Sequence, residues 1–202
     1  YTLDPSGPLR PIAVMMIIMG FAPWVQFLLV HVVGEKEHGI KEALYLMGMR
    51  VDMYWLSWFL TYVAMSVVPC AAMTFVTTTM GLFANASSLL IFLLLESFSM
   101  SIVALGLLLS NGFKQAKTAG LVGMLSMTVV SLSIFGIKNI AKPGIKWLLS
   151  LVSPLAACFA LQTALKIDAT SGLTAAEFVS SGDGVSPLDS TFMLWLDTAL
   201  YL

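Results

Sequence analysis

Residues 12–50 read IAVMMIIMGFAPWVQFLLVHVV followed at once by GEKEHGIKEALYLMGMR. The first part, 12–33, carries no Asp, Glu, Lys or Arg and is long enough to cross a bilayer core, which needs about 20 mostly apolar residues. The second part, 34–50, concentrates charge, because six of the 21 Asp, Glu, Lys and Arg residues lie in it. We therefore predict a membrane-spanning helix followed by a charged segment outside the lipid.

The composition extends this interpretation to the whole chain. Of the 202 residues, 58% are hydrophobic and only 10% are charged, and the mean hydropathy is +0.92. Soluble domains carry about 25% charged residues, so lipid must cover much of this surface. The net charge of −1 gives no support for a nucleic-acid partner. We expect the two cysteines, Cys70 and Cys158, to be buried free thiols, since both lie in apolar runs.

Further apolar runs predict an all-α, multi-pass integral membrane domain. Runs of spanning length cover residues 53–80, 89–110 and 118–137. A last run begins at residue 190 and reaches Leu202 before it is long enough to span. The chain has no signal-peptide pattern and no initiator Met, so we expect it to be a piece of a longer membrane protein.

The positive charges predict the orientation of these spans. Lysine and arginine lie in segments 34–52 and 111–117 and are absent from 81–88. Cytoplasmic loops carry the excess of positive charge, so 34–52 and 111–117 are predicted to be cytoplasmic and 81–88 to be outside. Asn85 then lies in a glycosylation sequon on the permitted side.

Segment 138–189 is predicted to be an outer region with re-entrant helices. Its three lysines, at positions 138, 142 and 146, conflict with the charge rule. Either the orientation is reversed, or a long outer region escapes the rule. The apolar stretch 147–165 is interrupted by Pro154, which favours a broken pair of short helices over a single crossing. Residues 166–189 have the composition of a solvated loop.

Helical spacing makes part of the charged segment amphipathic. Ile40, Leu44 and Met47 share one face, Glu37 and Lys41 form an i, i+4 pair, and Gly48 is a predicted C-terminal cap. Two interpretations stay open from these residues alone. The helix lies in the lipid interface, or it docks onto a cytoplasmic partner.

The segment also resembles the A subfamily of ABC transporters. Members of this family have the form E-K-E-x-x-x-K-E-x-x-x-x-M-G followed by W-x-S-W at the start of the next helix. The matching residues here are Glu35, Lys36, Glu37, Lys41, Glu42, Met47, Gly48, Trp55, Ser57 and Trp58. The stretches LLLSNGFKQAKTAGLVG (107–123), LLSLVSPLAACFA (148–160) and MLWLDTALYL (193–202) resemble later family segments in the same order.

The resemblance implies an ABC-2 or type V exporter-like half-transporter that moves lipids or sterols. Its partners would be an ATP-binding domain, which holds ATP and Mg²⁺ outside these residues, and a second transmembrane half. This piece would itself be no enzyme, although the parent would be an ATPase in the plasma membrane or an internal vesicle membrane. The residues implied to couple to the ATP-binding domain are Glu35, Lys36, Glu37, Ile40, Lys41, Glu42, Leu44, Met47 and Gly48. Lys114 and Lys117 would form a second, smaller contact.

Two carboxylates lie inside apolar runs. Glu96 is expected to be neutral or hydrogen-bonded to a neighbouring helix, or to belong to a translocation path, because charge at that depth costs about 2.5–3.5 kcal/mol. Asp197 matches the family's last helix, where a structural bond to the re-entrant segment is expected.

Two rival functions remain. Another transporter or a channel would use the charged segment only at the interface. An intramembrane enzyme is poorly supported, because the chain has no G-x-S-x-G elbow and no metal-ligand spacing.

Overall fold

The computed structural model describes residues 9–83, 86–137, 153–170 and 187–201, and in them all regular structure is α-helical. The helices are α1 Leu9–Met19, α2 Ala22–Glu37, α3 Ile40–Leu46, α4 Val51–Thr79, α5 Ser88–Ser110, α6 Ala116–Ile137, α7 Ser153–Thr170 and α8 Pro187–Tyr201. The segment Ile12–Glu37 and the helices α4 and α5 are long and apolar enough to cross a membrane, whereas Ala116–Leu132 is a shorter apolar stretch. Asn85 and segments 138–152 and 171–186 lie outside the described residues.

The first predicted span consists of two helices. Pro23 lacks a backbone N–H and its ring clashes with the carbonyl of Met19, so the helical hydrogen bonding is interrupted between α1 and α2. The Gly20 amide still donates to the Met16 carbonyl at 3.0 Å, and the Phe21 amide to the Ile18 carbonyl at 3.0 Å. The two helices therefore continue each other across a break.

Helix α2 extends beyond the span predicted to end at residue 33. It continues to Glu37, and Gly39, whose φ of 71° is in the left-handed region that terminates helices, separates it from α3. Glu35, Lys36 and Glu37 therefore belong to the last turn of α2 rather than to the short amphipathic helix.

Helix α7 lies in the fifth apolar stretch and begins next to its proline. Pro154 is the second residue of this helix, where no intrahelical N–H is needed, and the predicted break before it stays a prediction. The helix runs to Thr170, so the predicted loop starts too early, and Asp168 is buried in it. The first limb of the predicted re-entrant pair, in 138–152, lies outside the described residues.

Helix α5 lies at the centre of the bundle and packs against α2, α4, α7 and α8. The Ser101 hydroxyl, about 13 Å inside the Ser110 end of α5, donates to the Ser153 hydroxyl at 2.7 Å. Helix α7 thus begins deep in the bundle, as a returning re-entrant limb would, although the re-entrant pair as a whole stays a prediction.

Glycines allow α2 to pack closely against its neighbours. A Cβ added at Gly106 of α5 would lie 2.5 Å from the Cδ2 of Leu28, and one at Gly123 of α6 would lie 2.3 Å from the Cδ1 of Leu29. A side chain at either position would displace the end of a leucine side chain, and small residues at such contacts are common between membrane helices.

Candidate functional site

One end of the bundle, here called the charged end, brings together five elements. These are the last turn of α2, all of α3, the first two turns of α4, the end of α5 with its following turn, and the start of α6. The segment predicted to couple to a partner lies here. Some of its charged side chains bind other helices of the bundle, and others are exposed on α3.

Glu35 binds α4. Its Oε2 accepts hydrogen bonds from the Tyr54 hydroxyl at 2.9 Å and from the Trp58 indole N–H at 3.3 Å. Tyr54 is only 2% exposed, so the carboxylate satisfies a donor that water does not reach. Bonds to a charged acceptor are stronger than neutral ones, which fixes the end of α2 against α4.

Lys36 binds the end of α5. Its Nζ donates to the carbonyls of Asn111 and Phe113, each at 3.0 Å. These carbonyls lie just past the last turn of α5, where helices leave acceptors unpaired and carry a partial negative charge. The ammonium therefore acts as a C-terminal cap supplied by another helix.

Glu37 binds the start of α6. Its Oε2 accepts a hydrogen bond from the backbone N–H of Ala116, the first residue of α6, at 2.9 Å. A carboxylate at this position satisfies a free amide and matches the positive end of the helix dipole.

Three consecutive side chains thus bind three different elements, and we call Glu35, Lys36 and Glu37 the bracket. Successive residues of a helix point about 100° apart, so neighbours in sequence reach helices on different sides of α2. The bracket corrects one prediction. The i, i+4 pairing of Glu37 with Lys41 is wrong because the helix breaks at Gly39 between them. Lys36 and Glu37 stay exposed, and the predicted pairing of these charges with a soluble partner stays a prediction.

Lys41 packs over aromatic rings. Its ammonium lies 4.4 Å from the ring centroid of Trp55, 5.5 Å from that of Tyr54 and 5.8 Å from that of Tyr45, which are cation–π distances. Partial burial, with a smaller contribution from the charge of Lys36, lowers the pKa of Lys41. This side chain attaches α3 to α4.

The remainder of α3 faces outward. None of its residues is buried, and Leu46 is 89% exposed. Ile40, Glu42 and Met47 are exposed as well, whereas Leu44 is half-buried, and the partner contact predicted for this face stays a prediction. The outward surface is mainly apolar.

Gly48 is confirmed as the C-terminal cap of α3. It has a φ of 91° and its amide donates to the Tyr45 carbonyl at 3.0 Å. The Met49 amide donates to the Leu44 carbonyl at 3.2 Å, which completes a Schellman motif. Left-handed glycines therefore stand at both ends of α3.

Lys114 and Lys117 are exposed beside the bracket. The contact predicted for them stays a prediction.

The two intramembrane carboxylates have different environments. Glu96 is 8% exposed and its Oε1 accepts a hydrogen bond from the Ser66 hydroxyl of α4 at 2.9 Å, which is the neighbouring-helix bond expected for it. Asp197 is 0% exposed, and neither of its carboxyl oxygens has a hydrogen-bond partner among the residues the structure describes. Its expected bond to the re-entrant segment stays a prediction.

The described ranges contain no group of three or more His, Cys, Asp or Glu side chains that could hold a metal ion. Cys70 and Cys158 are free and buried, as predicted.

Sequence reasoning missed Tyr54. The motif contains its neighbours Trp55 and Trp58 but not this residue, although it bonds Glu35 and contacts Lys41. A tyrosine among the tryptophans of an interfacial helix start is the only signal in the sequence, and it does not name a partner.

A bundle of apolar helices with a cluster of charges at one end defines the membrane domain of a multi-pass integral membrane protein. The chain belongs to the ABC-2 family of transporter proteins, whose family model matches residues 10–202.

Curated relatives agree with this assignment. The chain is 32% identical over 197 residues to the cholesterol transporter ABCA5 of Rattus norvegicus, covering 95% of this chain and 12% of the relative. It is 36% identical over 113 residues to the human protein of that name, covering 56% of this chain and 7% of the relative. It is 26% identical over 198 residues to the ABC-type organic anion transporter ABCA8B of Mus musculus, covering 98% and 12%. The resemblance to the A subfamily is thus confirmed, and the chain spans about an eighth of the length of these relatives.

Proposed function

We propose that this chain is the membrane part of an ATP-driven transporter that exports or flips a lipid or sterol. In this proposal α3 is a coupling helix on the cytoplasmic side, seated in a groove of an ATP-binding domain that lies elsewhere in the parent protein. Alternating access then follows from movement of that domain against the spans. The parent hydrolyses ATP, whereas these residues contribute no catalytic group.

The observation that carries the proposal is the exposed apolar surface of α3. Ile40, Leu46 and Met47 point away from the bundle at the end where the spans meet. Exposed apolar residues that are gathered on one short helix are typical of a surface that a partner covers. Because the bracket uses its own charges internally, the partner groove is expected to be mainly apolar, with a basic group facing Glu42.

The lipid or sterol substrate is supported by the family. Two of the relatives above are named cholesterol transporters, and the substrate class of this chain is proposed by that analogy. The sequence has no G-x-x-x-x-G-K-[ST] loop, so we place ATP and Mg²⁺ in the ATP-binding domain. The membrane of residence is proposed to be the plasma membrane or an internal vesicle membrane.

Cysteine crosslinking in the full-length parent tests the coupling role. Leu46→Cys, paired with cysteines along the facing groove of the ATP-binding domain, is expected to crosslink, and ATP is expected to change the yield. Leu89→Cys is the matched control, since Leu89 is an exposed leucine at the other end of α5. Equal yields for the two positions, or none for Leu46→Cys, would reject the coupling helix in favour of a helix lying in the lipid interface.

A further inference from the structure

Tyr54 connects α3 with the bracket. Two side chains of α3 contact its ring: the Lys41 ammonium at 5.5 Å from the ring centroid, and the Tyr45 ring at 6.2 Å between centroids in an edge-to-face arrangement. The hydroxyl on the far side of the same ring donates to Glu35 of α2 at 2.9 Å. One nearly fully buried side chain thus contacts α3 with its ring and α2 with its hydroxyl.

Two glycines join α3 to its neighbours along the chain. Gly39 and Gly48, both at positive φ, connect it to α2 and α4, and none of its residues is buried. Backbone hydrogen bonds hold both turns. The side-chain contacts of Lys41 and Tyr45 with the Tyr54 ring are a second connection, which reaches α4 directly.

Beyond Glu35 the connection divides. The next two residues of the same helical turn bind the end of α5 and the start of α6, through Lys36 and Glu37. Helix α5 in turn lies at the centre of the bundle, against four other helices. A displacement of Tyr54 therefore reaches the central helix through two hydrogen-bonded steps.

We propose that Tyr54 is a positioning residue that transmits displacement of α3, through Glu35 and the bracket, to α5 and α6. This inference rests on the proposed function, since it requires that an ATP-binding domain moves α3. It adds that the signal leaves α3 through the hydroxyl of one tyrosine rather than along the backbone. Contiguous packed and hydrogen-bonded groups are the physical means by which such coupling travels.

The chain provides a matched pair of substitutions. Tyr54→Phe removes the bond to Glu35 and keeps the ring that contacts Lys41 and Tyr45. Tyr45→Phe removes a hydroxyl that is buried without a hydrogen-bond partner among the described residues. Only the first change breaks the proposed route, although the two changes are chemically identical.

The measurement is made on the full-length parent in phosphatidylcholine vesicles containing cholesterol. A cysteine at Leu89, at the far end of α5, reports movement through its rate of labelling by a membrane-impermeant maleimide with and without ATP. ATP hydrolysis and the Leu46→Cys crosslink to the ATP-binding domain are followed in parallel. Tyr54→Phe is expected to reduce the ATP-driven change in labelling rate by about 2- to 30-fold, which is the usual effect on coupling of a substitution along a coupling route. ATP hydrolysis and the crosslink are expected to stay as they are with Tyr54 unchanged.

The outcomes separate this inference from the proposed function. If Leu46→Cys does not crosslink to the ATP-binding domain in the protein with Tyr54 unchanged, the proposed function itself is rejected. If that crosslink forms and Tyr54→Phe leaves the ATP-driven change intact, or Tyr45→Phe reduces it equally, Tyr54 is not the route. Glu35→Ala provides a second check, because Tyr54→Phe should add no further loss to it, and additive losses would overturn the proposal.

Discussion

Replacing Glu35 by alanine should loosen the charged end in a way that replacing Glu42 does not. The two residues belong to the same charged segment and differ in surroundings. Glu35 accepts from Tyr54 and Trp58, whereas Glu42 is exposed on α3. If the segment's charges all served an external partner, removing either would leave the membrane domain itself unchanged.

The magnitude follows from the donors left behind. Without Glu35 the Tyr54 hydroxyl, on a residue 2% exposed, has no acceptor, which costs about 1–3 kcal/mol. The partly buried Trp58 N–H adds about 0.5–1 kcal/mol, because water can replace some of its bond. The free energy of local opening should therefore fall by about 1.5–4 kcal/mol for Glu35→Ala, and by no more than about 0.5 kcal/mol for Glu42→Ala.

Amide hydrogen exchange of the full-length parent measures this opening locally. In peptides covering residues 51–58, Glu35→Ala should speed exchange by about 10- to 900-fold, the equivalent of about 1.5–4 kcal/mol. Glu35→Gln should lie between the wild type and alanine, since its amide oxygen still accepts. Equal exchange for Glu35→Ala and Glu42→Ala would refute the reasoning.

Three further predictions test other contacts. Glu37→Ala should weaken the first turn of α6 by about 1 kcal/mol, the usual value of a lost N-terminal cap, and the first amides of α6 should exchange faster. Glu37→Gln should recover part of the lost stability, and unchanged exchange in Glu37→Ala would contradict the cap. Glu96→Gln should preserve expression and transport if the carboxyl is neutral, because the amide keeps an acceptor for the neighbouring hydroxyl; lost transport at normal expression would count against neutrality. Gly106→Ala should lower the melting temperature in detergent, because overpacking against Leu28 costs about 1–3 kcal/mol. Gly112→Ala, whose added Cβ has its nearest contact at 3.5 Å, should leave it unchanged, and equal melting temperatures for the two variants would show that α2 can move away.

The apolar helices were predictable because their signals are local. Helix α5 begins at Ser88, next to the predicted start, since a long, mostly apolar run within a single chain segment forms a helix in lipid. Gly48 was predictable for the same reason, because a glycine after an amphipathic turn is the common C-terminal cap. Pro23, which lies within the first apolar run, is a local signal for the break before α2. The break was not predicted, because the run is long enough to span the membrane as one helix.

The bracket was not predictable, because its partners are distant in sequence. Glu37 and Ala116 are 79 positions apart, and their contact depends on how α2 packs against α6. The motif indicated that the charges matter, but spacing along one helix could not show whether they point inward or outward. Pro154 illustrates a local ambiguity instead, since a proline in an apolar run both ends one helix and suits the first turn of the next.

A cysteine scan of residues 35–47 in the full-length parent, crosslinked to the ATP-binding domain, tests the central claim most directly. The claim is that α3 faces the partner, whereas Glu35 is half-buried against α4 and the exposed Lys36 and Glu37 bind neighbouring elements of the bundle. The account predicts crosslinks from Ile40, Leu46 and Met47 and none from Glu35. Crosslinks from Glu35 with none from α3 would contradict it.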